Sequence, residues 1–142
     1  MEYGISLLSV IPLRAEPSDK SEMVSQLLFS ELFEVIEKEQ QWRRVRMAHD
    51  NYEGWTDVKQ ITPLKAEDFF LLNKSEQSVT LDVVQIVVYN RNNMLPVLLG
   101  SSLPGFGNKK FSINGTDFFY EGNVRSGKVT DKKFVVENAY MY

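Results

Sequence analysis

The chain has no cysteine and a single histidine, His49. Disulfides, thiolate metal ligands and a cysteine nucleophile are therefore excluded within it, and no second imidazole exists to build a histidine-rich metal site. No metal and no cofactor are expected. No serine sits in a nucleophile-elbow pattern, so no catalytic residue is assigned. The apolar runs are too short to cross a membrane as a helix. Met1-Glu2-Tyr3-Gly4 leads straight into strand-like sequence without a basic start and apolar stretch, so no export signal is visible. A cytoplasmic location follows as an expectation, or an envelope location had a signal been removed. A surplus of positive charge is also missing: the net charge is −3, and residues 1 to 64 carry eleven acidic against seven basic side chains. Nucleic-acid binders concentrate Lys and Arg on one surface, so nucleic acid is not an expected partner, and neither is a membrane.

What is present is an ordinary globular composition, 43% hydrophobic and 25% charged, with nine Phe, six Tyr and two Trp. Large rings fill the cores of small β units economically. The clearest organising stretch is Gln41 to Trp55, QWRRVRMAHDNYEGW. Its two strand-like runs, Trp42 to Met47 and Tyr52 to Trp55, flank the polar turn His49-Asp50-Asn51, which predicts a β-hairpin. A lone hairpin is marginal in water, so the neighbouring residues should complete a curved sheet. Arg43, Arg44 and Arg46 then face Glu34, Glu37 and Glu39 of the preceding strand. His49, isolated in a turn, is expected to be solvated.

In chain order, Gly4 to Leu13 reads as an opening strand and Arg14 to Ser21 as a polar loop. Val24 to Leu28 and Leu32 to Glu37 follow as strands, with Ser30-Glu31 the turn between them, and Asp57 to Leu64 completes the unit. Short strands at about ten-residue spacing favour a barrel over a parallel α/β sheet. Ala66 to Lys74 reads as a connection with a turn or two of helix. Val79 to Val88 is the most β-prone run, Asn90 to Asn93 a turn and Met94 to Leu99 a strand. Gly100 to Gly107 reads as a structural loop, since the lysine and hydroxyl ending of a phosphate loop is absent. Lys110 to Ile113, Asn114-Gly115 and Thr116 to Tyr120 form the strongest hairpin signal, and Gly122 to Val129 adds a strand. The fold class expected is all-β, two small SH3-like barrels in tandem: residues 1–64, a linker over 65–77, a second barrel over 78–129, and a closing segment over 130–142.

The order Pro-Leu-Arg, Glu-Pro-Ser-x-x-Ser-Glu, Gln-Leu-Leu-Phe-x-Glu, Trp-x-x-Val-Arg and Tyr-x-Gly-Trp, carried by Pro12 to Trp55, resembles the first bacterial SH3 domain of NlpC/P60 cysteine peptidases. Pro96 to Pro104 is similar to their second SH3-like domain. Two positions depart from the pattern: Ser30 and Asn51 stand where glycine is usual. Asn readily takes positive φ; Ser is less comfortable there. The resemblance implies a non-catalytic portion of a murein peptide hydrolase whose C-terminal NlpC/P60 catalytic domain, bearing the cysteine, lies outside this sequence. Phe134 to Met141 would then begin a helix leading into it.

It also implies that the first barrel narrows the catalytic cleft so that only a peptide with a free N-terminal L-Ala fits, such as L-Ala-γ-D-Glu-diaminopimelate. Carried over by motif, Tyr52 would present its ring and hydroxyl to the cleft, and Glu31 or Asp50 would pair with the ammonium group. A carboxylate meeting an ammonium in a partly desolvated cleft gains more than on an open surface. Paired acids for catalysis are not expected, since Glu34 and Glu37 should alternate across their strand. The competing class is a stand-alone cell-wall or peptide-binding module, with Tyr3, Trp42, Tyr52 and Trp55 as an aromatic groove.

Overall fold

The structure, a computed structural model, describes residues 2–75, 77–90 and 92–127. Among the described residues it is all-β apart from one helix and a short 3-10 turn, and every strand pairing described is antiparallel. The chain divides into two compact units, Met1–Asn73 and Lys74–Tyr142. The segment 130–142 read as a lead-in lies outside the described residues.

The first unit is built from β1 (Glu2–Ile5), β2 (Val10–Arg14), β3 (Met23–Leu28), β4 (Leu32–Glu39), β5 (Trp42–Met47), β6 (Glu53–Asp57) and β7 (Thr62–Leu64). They form one sheet in the order β3-β2-β6-β5-β4-β1-β7. Its two ends, β3 and β7, are not paired with each other among the described residues, so ring closure is not seen in the hydrogen bonding. Alternation along β2 and β5 sends Ile11, Leu13, Val45 and Met47 inward, where they join Leu27 and Phe33 in a core with Val35 and Ile61 packed against it. Gly54 is required for packing: a Cβ there would sit 2.8 Å from the Leu13 Cβ.

The run Gly4 to Leu13 is not one strand. β1 pairs with β4 and β7, whereas β2 pairs with β3 and β6, so the chain must turn between the two sets of partners. Ser6 makes that turn, its hydroxyl donating to the Leu8 carbonyl at 3.2 Å. After β6, Asp57 caps the turn Val58–Gln60 by accepting from the Lys59 amide. The helix α1 (Ala66–Lys74) occupies most of the segment read as a linker, and its Phe69 stacks on Tyr3 with ring centroids 4.3 Å apart.

The second unit contains β8 (Gln77–Thr80), β9 (Val84–Tyr89), β10 (Asn93–Leu98), β11 (Ser102–Pro104), β12 (Lys110–Ile113), β13 (Thr116–Phe119) and β14 (Val124–Gly127). They make a four-stranded sheet, β10-β9-β13-β12, and a three-stranded sheet, β11-β8-β14. Phe111 and Phe118 stack with centroids 5.2 Å apart in its interior, and Tyr120 is fully buried. The Asn114-Gly115 hairpin forms as expected, both residues at positive φ. Two readings are corrected. Val79 to Val88 is broken into β8 and β9, which belong to different sheets, by a corner at Leu81 to Val83. The loop Gly100 to Gly107 contains β11, because Ser102, Leu103 and Pro104 are buried beside β8.

Asp82 ties that corner down. Its carboxylate accepts from the Asn123 amide at 2.8 Å and the Tyr120 hydroxyl at 2.9 Å. The Asn123 amide above all, then the Tyr120 hydroxyl, hold the Asp82 carboxyl below its usual range. Burial, reinforced by Asp82, pushes the Tyr120 hydroxyl up.

Candidate functional site

The site is assembled at two turns of the first unit. In the β3–β4 turn, the Glu31 amide donates to the Leu28 carbonyl at 3.1 Å and the Ser30 amide to Ser6 at 2.7 Å. This geometry puts Ser30 at φ 61, the left-handed region that glycine enters at no cost. The glycine-to-serine departure is thus met by strain at Ser30 itself. Glu31 turns inward, its side chain only 4% exposed, and Oε1 accepts from the Leu28 amide at 2.7 Å. A buried carboxylate needs such donors to remain charged.

The β5–β6 turn supplies the opposing wall. Asn51 takes φ 61, as its side chain permits, and its amide donates to Met47 at 2.9 Å. Asp50 Oδ1 accepts from the Tyr52 amide at 2.9 Å, a local cap that fixes the loop. Tyr52 is 43% exposed, and its hydroxyl donates to the Val24 carbonyl at 3.3 Å. Its hydroxyl therefore reaches the start of β3, at the end of that strand away from the β3–β4 turn.

His49 joins the two turns. Its Nδ1 lies 2.9 Å from Glu31 Oε2 and its Nε2 lies 3.4 Å from Asp50 Oδ2. The expectation of a solvated turn histidine is corrected: the side chain is 26% exposed and wedged between two carboxylates. The structure thus brings Glu31 and Asp50 together through His49, which sequence reasoning passed over, while Tyr52 is tied to Asp50 by its backbone amide and sends its hydroxyl to Val24. The available signal was a histidine flanked by an acid in the same loop that supplies Asp50 and Tyr52.

The ion pairs on the exposed face of β4 to β6 are structural. Arg46 pairs with Glu34 at 3.1 Å, and Arg44 with both Glu37 at 3.3 Å and Glu53 at 2.5 Å. Arg43 is set opposite Lys38, not Glu39, and donates instead to the Gln40 and Trp42 carbonyls. A bulge between Val35 and Glu37 shifts the register, so Glu34 and Glu37 share a face, contrary to simple alternation.

The aromatic groove is not formed. Tyr3 stacks on α1, Trp42 and Trp55 are buried, and Tyr52 alone of the four is exposed. A separate cleft of about 230 Å³ is lined by Pro12, Arg14, Asp19, Trp42, Thr56 and Lys59 among others. The Thr56 hydroxyl is buried there with no hydrogen-bond partner among the described residues.

Residues 13–61 match the family model described as the bacterial dipeptidyl-peptidase Sh3 domain. That match spans both turns, with Glu31, His49, Asp50 and Tyr52 inside it. Among solved structures, the chain is similar to an NlpC/P60 family protein from Bacillus cereus ATCC 10987, at 14% identity and a TM-score of 0.69. The superposition covers 89% of this chain and 56% of that one, so this chain spans a little over half the relative's length. No curated protein matches. The family match supports a bacterial SH3 domain in the first unit, as the sequence motifs led us to expect, and the likeness to the solved structure shows the fold.

Proposed function

We propose that this chain is the non-catalytic, cleft-shaping portion of a murein peptide hydrolase, and that its first unit selects peptides carrying a free N-terminal L-Ala. The observation that carries this reading is the meeting of Glu31, His49 and Asp50 at two adjoining turns, with the exposed Tyr52 next in the chain, within the stretch that matches the dipeptidyl-peptidase Sh3 model. The exposed Asp50 carboxylate, with Glu31 buried behind His49, and the exposed Tyr52 side chain suit a primary ammonium, which brings three donors and one positive charge. The bond cleaved is that between γ-D-Glu and the following diamino acid, by a cysteine on an NlpC/P60 catalytic domain supplied beyond this sequence. Cytoplasmic recycling of murein peptides is the setting we assign.

The test is isothermal titration of this chain with L-Ala-γ-D-Glu-diaminopimelate, with and without an NlpC/P60 catalytic domain in trans. Binding is expected only when both are present, and Tyr52→Ala weakens it. Tight binding to this chain alone would instead establish a self-sufficient ligand module. One observation favours that second reading: the Thr56 hydroxyl, buried and unpaired in the Trp42 cleft, where a ligand could satisfy it.

A further inference from the structure

The cleft beside Trp42 lies at the opposite end of β5 and β6 from the His49 turn, because Trp42 opens β5 while Thr56 and Asp57 close β6. At about 230 Å³ it holds one small group rather than a length of chain. Four charges line it, two of each sign: Arg14 at the end of β2, Asp19 in the loop that follows, Asp57 at the end of β6 and Lys59 in the turn beyond. None of the four takes part in an ion pair among the described residues. The segments that carry them are nonetheless fixed. Arg14 Nη1 donates to the Ser21 carbonyl at 3.0 Å, and Ser21 Oγ accepts from the Glu16 amide at 2.9 Å. The Ala15 amide donates to the Glu22 carbonyl at 2.9 Å, so the loop bearing Asp19 is tied across itself. Asp57 commits Oδ1 to the Lys59 amide at 2.9 Å. Thr56, 1% exposed, adds a hydroxyl with no hydrogen-bond partner among the described residues.

We propose that this cleft is a binding site for an α-amino acid group, an ammonium and a carboxylate borne on one carbon. A ligand of single sign gains from one pair of these charges and is opposed by the other, whereas a group carrying both signs is answered by both. Arg14 and Lys59 meet its carboxylate, Asp19 and Asp57 meet its ammonium, and the Thr56 hydroxyl gives the carboxylate a further donor. A sugar ring or a proline-rich segment needs an open aromatic face to lie on, and Trp42, only 6% exposed, offers none. Because the loop and the turn are fixed before the ligand arrives, little ordering opposes binding. This site goes beyond the cleft-shaping reading: it needs no catalytic domain, and its residues are not those of the β3–β4 and β5–β6 turns.

The test is proton–nitrogen NMR of the full chain alone at neutral pH, titrated with alanine, N-acetylalanine, alaninamide and N-acetylglucosamine. Alanine is expected to shift the Trp42 indole N–H and the amides of Asp19 and Lys59, saturating with a Kd of about 1 mM. Removing either charge of the ligand should weaken binding about tenfold or more. Asp19→Asn and Lys59→Met, both at exposed positions, should do the same with an unchanged unfolding midpoint. Thr56→Val should weaken alanine about threefold without lowering the midpoint, because it deletes a buried hydroxyl that the fold leaves unanswered. Tyr52→Ala should leave the alanine response unchanged, which keeps this result separate from the test of the cleft-shaping reading. Equal shifts from alanine and its singly charged relatives, saturation by N-acetylglucosamine in place of alanine, or no saturable shift up to about 10 mM would each overturn the inference.

Discussion

Each unit pins a corner with a carboxylate, and the two differ in what answers it. Asp82 in the second unit is met by a backbone amide, the Asn123 side chain and the Tyr120 hydroxyl, none of which changes charge near neutrality. Glu31 in the first unit is met by one amide and then by an imidazole that also faces Asp50 and solvent. The first arrangement is a knot, fully answered from within the fold. The second keeps a titratable group between a buried acid and an exposed one, which is an arrangement suited to exchanging partners with a ligand.

Breaking the knot should have the largest effect. Asp82→Ala leaves the Tyr120 hydroxyl and the Asn123 amide without their acceptor and should cost about 2–3 kcal/mol in the second unit. Amide exchange along β8 and β13 would report it. Tryptophan fluorescence should stay silent, because Trp42 and Trp55 both belong to the first unit. If the fluorescence midpoint moves as far as the exchange does, the two corners are not independent.

Acid should separate the units next. The Asp82 carboxyl titrates below its ordinary value when folded, so its stabilisation is full above about pH 4 and is lost as pH falls through the depressed folded value. At the alkaline end Tyr120, raised when folded, contributes fully below about pH 10, and that contribution fades above it. Asp82→Asn should abolish the acid-side slope in the second unit.

Glu31→Gln sharpens the contrast by keeping an acceptor for the Leu28 amide while removing the charge. The expected cost is about 1 kcal/mol in the fluorescence midpoint, small beside Asp82→Ala. The smallest effect is Ser30→Gly, which relieves a non-glycine residue at φ 61 and should raise the midpoint by about 0.5 kcal/mol. A loss of stability there would mean that the buried serine contributes more than its backbone costs.

The hairpins were legible because their signals are local. Asn114-Gly115 specifies its own turn, and Asn51 supplies the positive φ that its position needs. The same holds for Trp42 to Met47 and for Leu32 onward, where alternation and β-branched residues suffice. Runs that change partners were not legible. Gly4 to Leu13 and Val79 to Val88 look continuous in composition, and only the assignment of their halves to different neighbours bends them. The bulge that places Glu34 and Glu37 on one face is equally invisible, since a one-residue slip leaves no mark on composition.

Sequence alone determined the class of fold, the absence of cysteine chemistry within these residues, and the two turns from which the site is built, because propensity, turn chemistry and residue inventory are properties of short stretches. Only the tertiary structure decided that these turns meet. Glu31 and His49 are separated by two strands in the chain, and the β4–β5 pairing returns one to the other. Burial at that meeting point turned Glu31 from a surface acid into a fixed internal acceptor, and turned an unremarked loop histidine into the group between two carboxylates.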